Sequence, residues 1–169
     1  SRHDFFRRGE LYLSIRIATI VIARIGEYTD ITDVERPDFL GRAYFIRAYS
    51  YYTLMMQYGP VPIVPDQAFP TNASVDQMSY PRATYTECVE KICSDFEQAA
   101  SLLKAADERD ASTYRIPTSG AALALMSRVR LEAASPWFNG NKYYYDFLRS
   151  SDNQPFFRQH CGSLLGGVA

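Results

Sequence analysis

The stretch GRAYFIRAYSYYTLMMQYGPVPIVPD, residues 41–66, begins as a helix and stops at Gly59-Pro60. Phe45, Ala48, Tyr49, Tyr52, Met55 and Met56 fall at i, i+3, i+4, i+7, i+10 and i+11, which is one continuous helical face. Tyr44, Tyr51 and Tyr58 recur on another face, and Arg42, Ser50, Thr53 and Gln57 form a polar edge. Gly59 is expected to cap the helix in the left-handed conformation, and Pro60 cannot continue it. A residue before proline is pushed toward extended backbone. VPIVP is therefore a stiff segment that can lay Val61, Ile63 and Val64 along the helices.

Upstream, the spacing predicts a helix over residues 4–27. Leu11, Ile15, Ala18, Ile22 and Ile25 form one apolar stripe, and Leu13, Ile17, Ile20 and Val21 a second. A helix apolar on two faces is expected between layers. EYTDITDVERPD, residues 27–38, is acidic. It lacks the alternating acids, central Gly and terminal Glu of a calcium loop. It reads as a solvated loop, with Pro37 suited to the first turn of the next helix.

Downstream, residues 60–81 hold five of the nine prolines, which makes a functional or packed arm rather than a simple turn. Thr84 and Glu87 are spaced as a capping box. Val89, Ile92, Phe96, Ala99, Ala100 and Leu103 continue as an apolar stripe. Residues 105–115 read as a polar loop. A fourth helix follows Pro117-Thr118, with Ala122, Leu125, Met126, Val129 and Ala133 inward. Ser135-Pro136 ends it and Asn139-Gly140 reads as a tight turn. The Tyr- and Phe-rich tail has no strong period. The whole predicts an all-α fold: antiparallel helix pairs, either a bundle or a short α-solenoid, with a long proline-rich connecting arm. The TPR sequence signature itself is not clear.

The chain has 169 residues, enough for one domain with a core, and is 47% apolar with a net charge of -1. That balance argues against a nucleic-acid partner, which needs a basic face. Thirteen tyrosines against one tryptophan suit half-buried walls or ligand platforms. Cys88, Cys93 and Cys161 form no complete disulfide framework, and the first two read as small core residues. His3 and His160 lie near opposite ends, and adjacent His160-Cys161 is poor geometry for chelation, so no metal or other cofactor is expected. No apolar run approaches a membrane span. The chain opens SRHDFFRRGE, without Met or signal peptide, which reads as a fragment. The absence of a targeting segment then says nothing of the protein's destination.

Catalytic sets are not found. No G-x-S-x-G, Walker loop, G-x-G-x-x-G or H-E-x-x-H occurs. Asp30, Asp33, Glu35 and Asp38 cluster on a loop without an aromatic cleft, so they read as solvated acids. Arg47 sits on an otherwise apolar side of its helix and needs a carboxylate or carbonyl partner. A structural tie is the favoured reading, and a ligand role remains open.

Four blocks, in order, resemble the SusD/RagB family of nutrient-binding outer-membrane lipoproteins. The first is the weakest, Tyr12 to Ile25. The second, RAYFIRAYSYYTLMMQYGPVPIV, is similar to that family's signature helix running into a proline-braced arm. PRATYTECVEKICSDFEQAASLLK and RIPTSGAALALMSRVRLEAASPWFNGN are the third and fourth. The resemblance implies a non-enzymatic protein of Bacteroidetes-type bacteria. It would capture glycans or peptides at the cell surface and work with a TonB-dependent outer-membrane transporter of the SusC type. It also implies that residues 1–169 are a single scaffold domain of TPR-like helix pairs, incomplete at both ends, with the lipidated N-terminal cysteine and the large C-terminal part lacking. A generic helical-repeat scaffold for protein interactions is the alternative. Arg47, Tyr51, Gly59 and Pro62 match the signature and read as structural.

Ligand residues cannot be carried over from the family. Sugars are held by aromatic faces and a few polar groups, and the richest such material is Trp137, Phe138, Asn139, Tyr143, Tyr144 and Tyr145. Trp137, Tyr143 and Tyr144 are the candidate ligand-binding residues. Three consecutive tyrosines cannot all face one way, so at least one is expected to be exposed. The competing expectation is that Trp137 and Phe138 cap the last helix pair. Residues 1–169 alone are expected to bind saccharide weakly or not at all.

Overall fold

The computed structural model describes residues 2–67 and 80–158, with the side chains of residues 2–7 and 111 outside that description. His160, Cys161 and most of the proline-rich arm therefore lie outside the described residues. Four helices order the rest: α1 (Arg2–Arg24), α2 (Arg36–Tyr58), α3 (Tyr85–Leu102) and α4 (Ser119–Ala134). A single 3-10 turn, Ile25–Glu27, ends α1, so the helix expected to residue 27 tightens in its last turn. Among the described residues no strand forms, only two isolated bridges.

Each helix packs on the next in antiparallel fashion. Arg36, at the start of α2, donates from Nη1 to Ile25 O at 2.6 Å and from Nη2 to Ile31 O at 3.2 Å. The loop is thus folded back onto the end of α1. Gly41 lets α2 approach the end of α3, because a Cβ there would lie 2.9 Å from Leu103 Cγ. Phe45 meets Phe96 edge to face at 5.6 Å. Ser119 N donates to Lys104 O at 3.1 Å, starting α4 beside the end of α3.

Ile15, Ala48, Tyr51, Leu54, Ile92, Phe96, Ala99, Ala122 and Val129 form a sealed core. Burial of each large apolar side chain contributes roughly 1.5–3 kcal/mol. The stripes expected on α3 and α4 are the ones that face this core. The Thr84–Glu87 capping box is complete, with Thr84 Oγ1 accepting from Glu87 N and Glu87 Oε2 from Thr84 N.

Two expectations need correction. On α2 the buried face is rotated from the one expected: Tyr51, Leu54, Arg47 and Ser50 are buried, while Tyr49 and Met56 are about half exposed. Ser50 tolerates burial because its hydroxyl donates to Ile46 O at 2.8 Å within its own helix. On α1 the second stripe is not packed between layers, since Leu13 and Ile17 are both exposed.

The described part of the arm does lie along the helices. Val61 is buried, Tyr12 Oη donates to Pro62 O, and Val64 N donates to Tyr51 Oη at 2.9 Å. Ala83 N donates to Val61 O at 3.2 Å, so the arm returns beside its own start.

Candidate functional site

The candidate residues gather where α4 ends. Ser135 turns extended ahead of Pro136, with φ -64° and ψ 150°. Its carbonyl then accepts from Phe138 N at 3.1 Å and Asn139 N at 3.0 Å. This turn throws Phe138 inward, where its ring stacks on Tyr85 at 4.7 Å between centroids. Gly140, with φ 78°, reverses the chain and donates its N–H to Arg158 O at 3.2 Å.

Residues 141–158 leave the bundle and return. Phe156 N donates to Phe147 O at 2.9 Å, and Arg149 N to Gln154 O at 2.8 Å. Tyr85 N, one of the free donors at the start of α3, finds Phe156 O at 2.8 Å. Arg149 pairs with Asp152 and reaches Glu87 Oε2 at 3.1 Å, joining the excursion to the α3 cap. Phe157 is thereby inserted against Tyr144 at 4.6 Å, Tyr85 at 5.4 Å and Phe138 at 6.2 Å. Stacked rings of this kind contribute about 0.5–1.5 kcal/mol beyond their burial.

Two rings that neighbour this cluster in sequence face solvent. Trp137 is 63% exposed and Tyr143 is 79% exposed. Asn141 links their backbones: its Nδ2 donates to Trp137 O at 3.0 Å, and its Oδ1 accepts from Tyr143 N at 3.1 Å. Lys142 Nζ lies 5.9 Å from the Tyr143 ring. The three tyrosines do divide: Tyr143 faces out, while Tyr144 turns in and packs on Phe157 and Phe147. The capping expectation divides as well, with Phe138 closing the helix pair and Trp137 left in solvent.

The pair Trp137 and Tyr143 can offer apolar ring faces to a ligand, with Asn141 holding both backbones in place. Nucleophilic chemistry has little support. Burial pushes the Cys88 thiol up to about 11 and raises Cys93 as well, so neither is a ready thiolate. Among the described residues no group of three or more His, Cys, Asp or Glu could hold a metal ion. Arg47 is a structural tie, 2% exposed, with Nε and Nη2 donating to the two oxygens of Asp95 at 2.7 Å each. Its Nη1 reaches Asp66 Oδ1 at 2.6 Å, on the arm.

Sequence reasoning missed Asn141, Phe147, Arg149 and Phe157. They lie in a segment without helical or strand period, and aromatic richness was the only available signal.

A SusD-like family model, described as starch-binding associating with outer membrane, matches residues 8–131. The chain is similar to a SusD-like protein from Bacteroides fragilis, at 27% identity and a TM-score of 0.67 over 78% of this chain and 24% of that one. It is also similar to a protein named BT4246, at 23% identity and a TM-score of 0.76 over 91% of this chain and 26% of that one. A SusD-like carbohydrate binding protein from Bacteroides fragilis matches at 17% identity and a TM-score of 0.66, over 85% of this chain and 30% of that one. The last two likenesses speak for the fold alone. The chain spans about a quarter of the length of the first two solved structures. No curated protein matches it.

Proposed function

Because the chain belongs to the SusD-like family, we propose that it is the helical scaffold of a protein that captures nutrient glycans or peptides at the bacterial cell surface. Capture is non-enzymatic, and the ligand passes to a TonB-dependent outer-membrane transporter of the SusC type. The observation that carries this reading is the family match across α1 to α4, together with a four-helix fold shared with SusD-like structures. Among the described residues no helix is long and apolar enough to cross a membrane. Attachment through a lipidated cysteine of the full-length protein is the anchor proposed.

Trp137 and Tyr143 contribute ring faces to the ligand site of the full protein, and Tyr144, packed on Phe147 and Phe157, holds the segment that carries Tyr143. The test is expression of the full-length reading frame with an affinity tag in its native host. Surface exposure by protease accessibility and co-purification of a TonB-dependent transporter are expected. A tagged protein that stays inside the cell, or purifies without any transporter, favours a generic helical-repeat scaffold instead.

A further inference from the structure

A cavity lies at the end of the bundle opposite Trp137. It measures about 220 Å³ and opens between the first turn of α2 and the α3–α4 loop. That is smaller than the roughly 300–1,000 Å³ of drug-sized sites, so it admits a single small ring. Its lining carries three cations, Arg42, Lys104 and Arg109, and four acids, Glu35, Asp38, Glu108 and Asp110, beside the ring of Phe39.

Arg42 and Arg109 share Asp38. Asp38 Oδ2 accepts from Arg42 Nη2, and Asp38 Oδ1 accepts from Arg109 Nη2 at 2.8 Å. Arg109 Nη2 also donates to Pro117 O at 2.7 Å. One carboxylate thus serves two guanidinium groups. The Arg109 side chain is only 5% exposed. Nε of Arg109 and Nε of Arg42 are both buried without an acceptor. Buried donors without acceptors are rare because they are costly. Lys104 adds a third cation at the mouth.

The rim differs from the interior. Glu35 Oε2 accepts from Thr32 Oγ1 at 2.6 Å, and Glu108 Oε2 accepts from Ala105 N at 3.0 Å. Both carboxylates, with Asp110, line the cavity. Phe39 supplies an apolar wall, with its ring 5.0 Å from the Arg42 guanidinium carbon. Interior cations call for an oxyanion, and rim carboxylates call for hydroxyl donors. A plain anion would meet the rim acids, and a neutral sugar would leave the guanidinium donors poorly matched.

We propose that this cavity binds a monosaccharide-sized sugar acid, with its carboxylate toward Arg42 and Arg109 and its hydroxyls toward Glu35 and Glu108. The proposal stands on the cavity and does not depend on the nutrient-capture reading. Titration of the chain with glucuronate, glucose and sodium sulfate at constant ionic strength, followed by calorimetry, is the experiment. Saturable glucuronate binding, at least about tenfold tighter than either control, is expected. Arg109→Lys keeps the charge but loses the planar fork, and should weaken binding by roughly tenfold. Lys104→Gln lies on an exposed side chain and tests the site should Arg109→Lys fail to fold; it should weaken binding roughly threefold or more. Absence of saturable glucuronate binding overturns the proposal. So does equal binding of glucose or sulfate, or unchanged affinity in Lys104→Gln.

Discussion

Arg47 carries its charge at 2% exposure, which is tolerable only with paired acceptors. Asp95, itself 2% exposed, takes two of its hydrogen bonds. Arg47→Ala leaves that buried carboxylate with only Lys91 Nζ, 3.3 Å from its Oδ1, in place of a two-pronged partner, so a loss of about 3 kcal/mol is expected in urea unfolding. A loss under about 1 kcal/mol would show that water or another cation compensates. The need for a partner was legible in the sequence, because an arginine on an apolar helix side has no other way to be buried. The partner was not, since Asp95 lies in another helix and nothing local links the two. Asp66 extends the network, pairing with both Arg47 and Lys91. Burial raises its carboxyl, but hydrogen bonds from Lys91 and the charges of Arg47 and Lys91 outweigh that and hold it below the ordinary value. Its stabilising contribution is therefore present above the unfolded value near ~3.9 and lost as pH falls through the lower folded value. Asp66→Asn should flatten that acid limb of a stability–pH profile. The amplitude is small because Asp66 is 58% exposed. An acid limb of unchanged slope in the variant would assign it to other carboxylates.

At the scale of elements, the end of α2 was legible in kind but not in conformation. Gly59 does end the helix, with its N–H donating to Met55 O at 2.9 Å. Its backbone, at φ 71° and ψ -148°, is not the left-handed helical cap expected. It lies near the positive-φ extended region that glycine alone occupies readily, which turns the chain directly into the extended arm. A Cβ there would touch nothing within 4 Å, so the penalty of Gly59→Ala is backbone strain alone. About 1–3 kcal/mol is expected by denaturant unfolding. A neutral result would mean that the arm adopts another turn without loss. Tyr52 tests the part of the expected α2 face that does stay buried. It is 6% exposed, and its hydroxyl donates to the Glu132 carboxylate at 3.0 Å. Tyr52→Ala should cost on the order of 3 kcal/mol by loss of buried ring volume. Tyr52→Phe should cost only about 1 kcal/mol, the hydrogen bond. A Tyr52→Ala change within about 0.5 kcal/mol of neutral would place this face in solvent.

At the scale of the molecule, the four helices leave Trp137 and Tyr143 exposed, but two rings do not enclose a sugar. Calorimetric titration of residues 1–169 with an oligosaccharide panel should show weak or no binding at the Trp137 turn. Micromolar binding abolished by Trp137→Ala, with helical circular dichroism intact, would show that the turn is a complete site. The sequence by itself determined the helices, the capping box of α3, the stop at Gly59-Pro60 and the family, because these depend on periodicity and neighbour chemistry within one turn of chain. The inward stripe of α3 was likewise legible, since that helix carries a single apolar face, and on α4 the expected stripe is the inward one although Leu123 and Leu131 are left exposed. Only the tertiary structure decided which face of α2 is buried, and that Leu13 and Ile17 stay uncovered on α1. A helical period places residues on faces but does not say which face meets a neighbour. Only the tertiary structure could bring Phe157 to Tyr85, or Arg109 to Asp38, because those contacts join residues more than 70 positions apart in one case and 71 in the other. They depend on how the helix ends meet, and no local pattern encodes that.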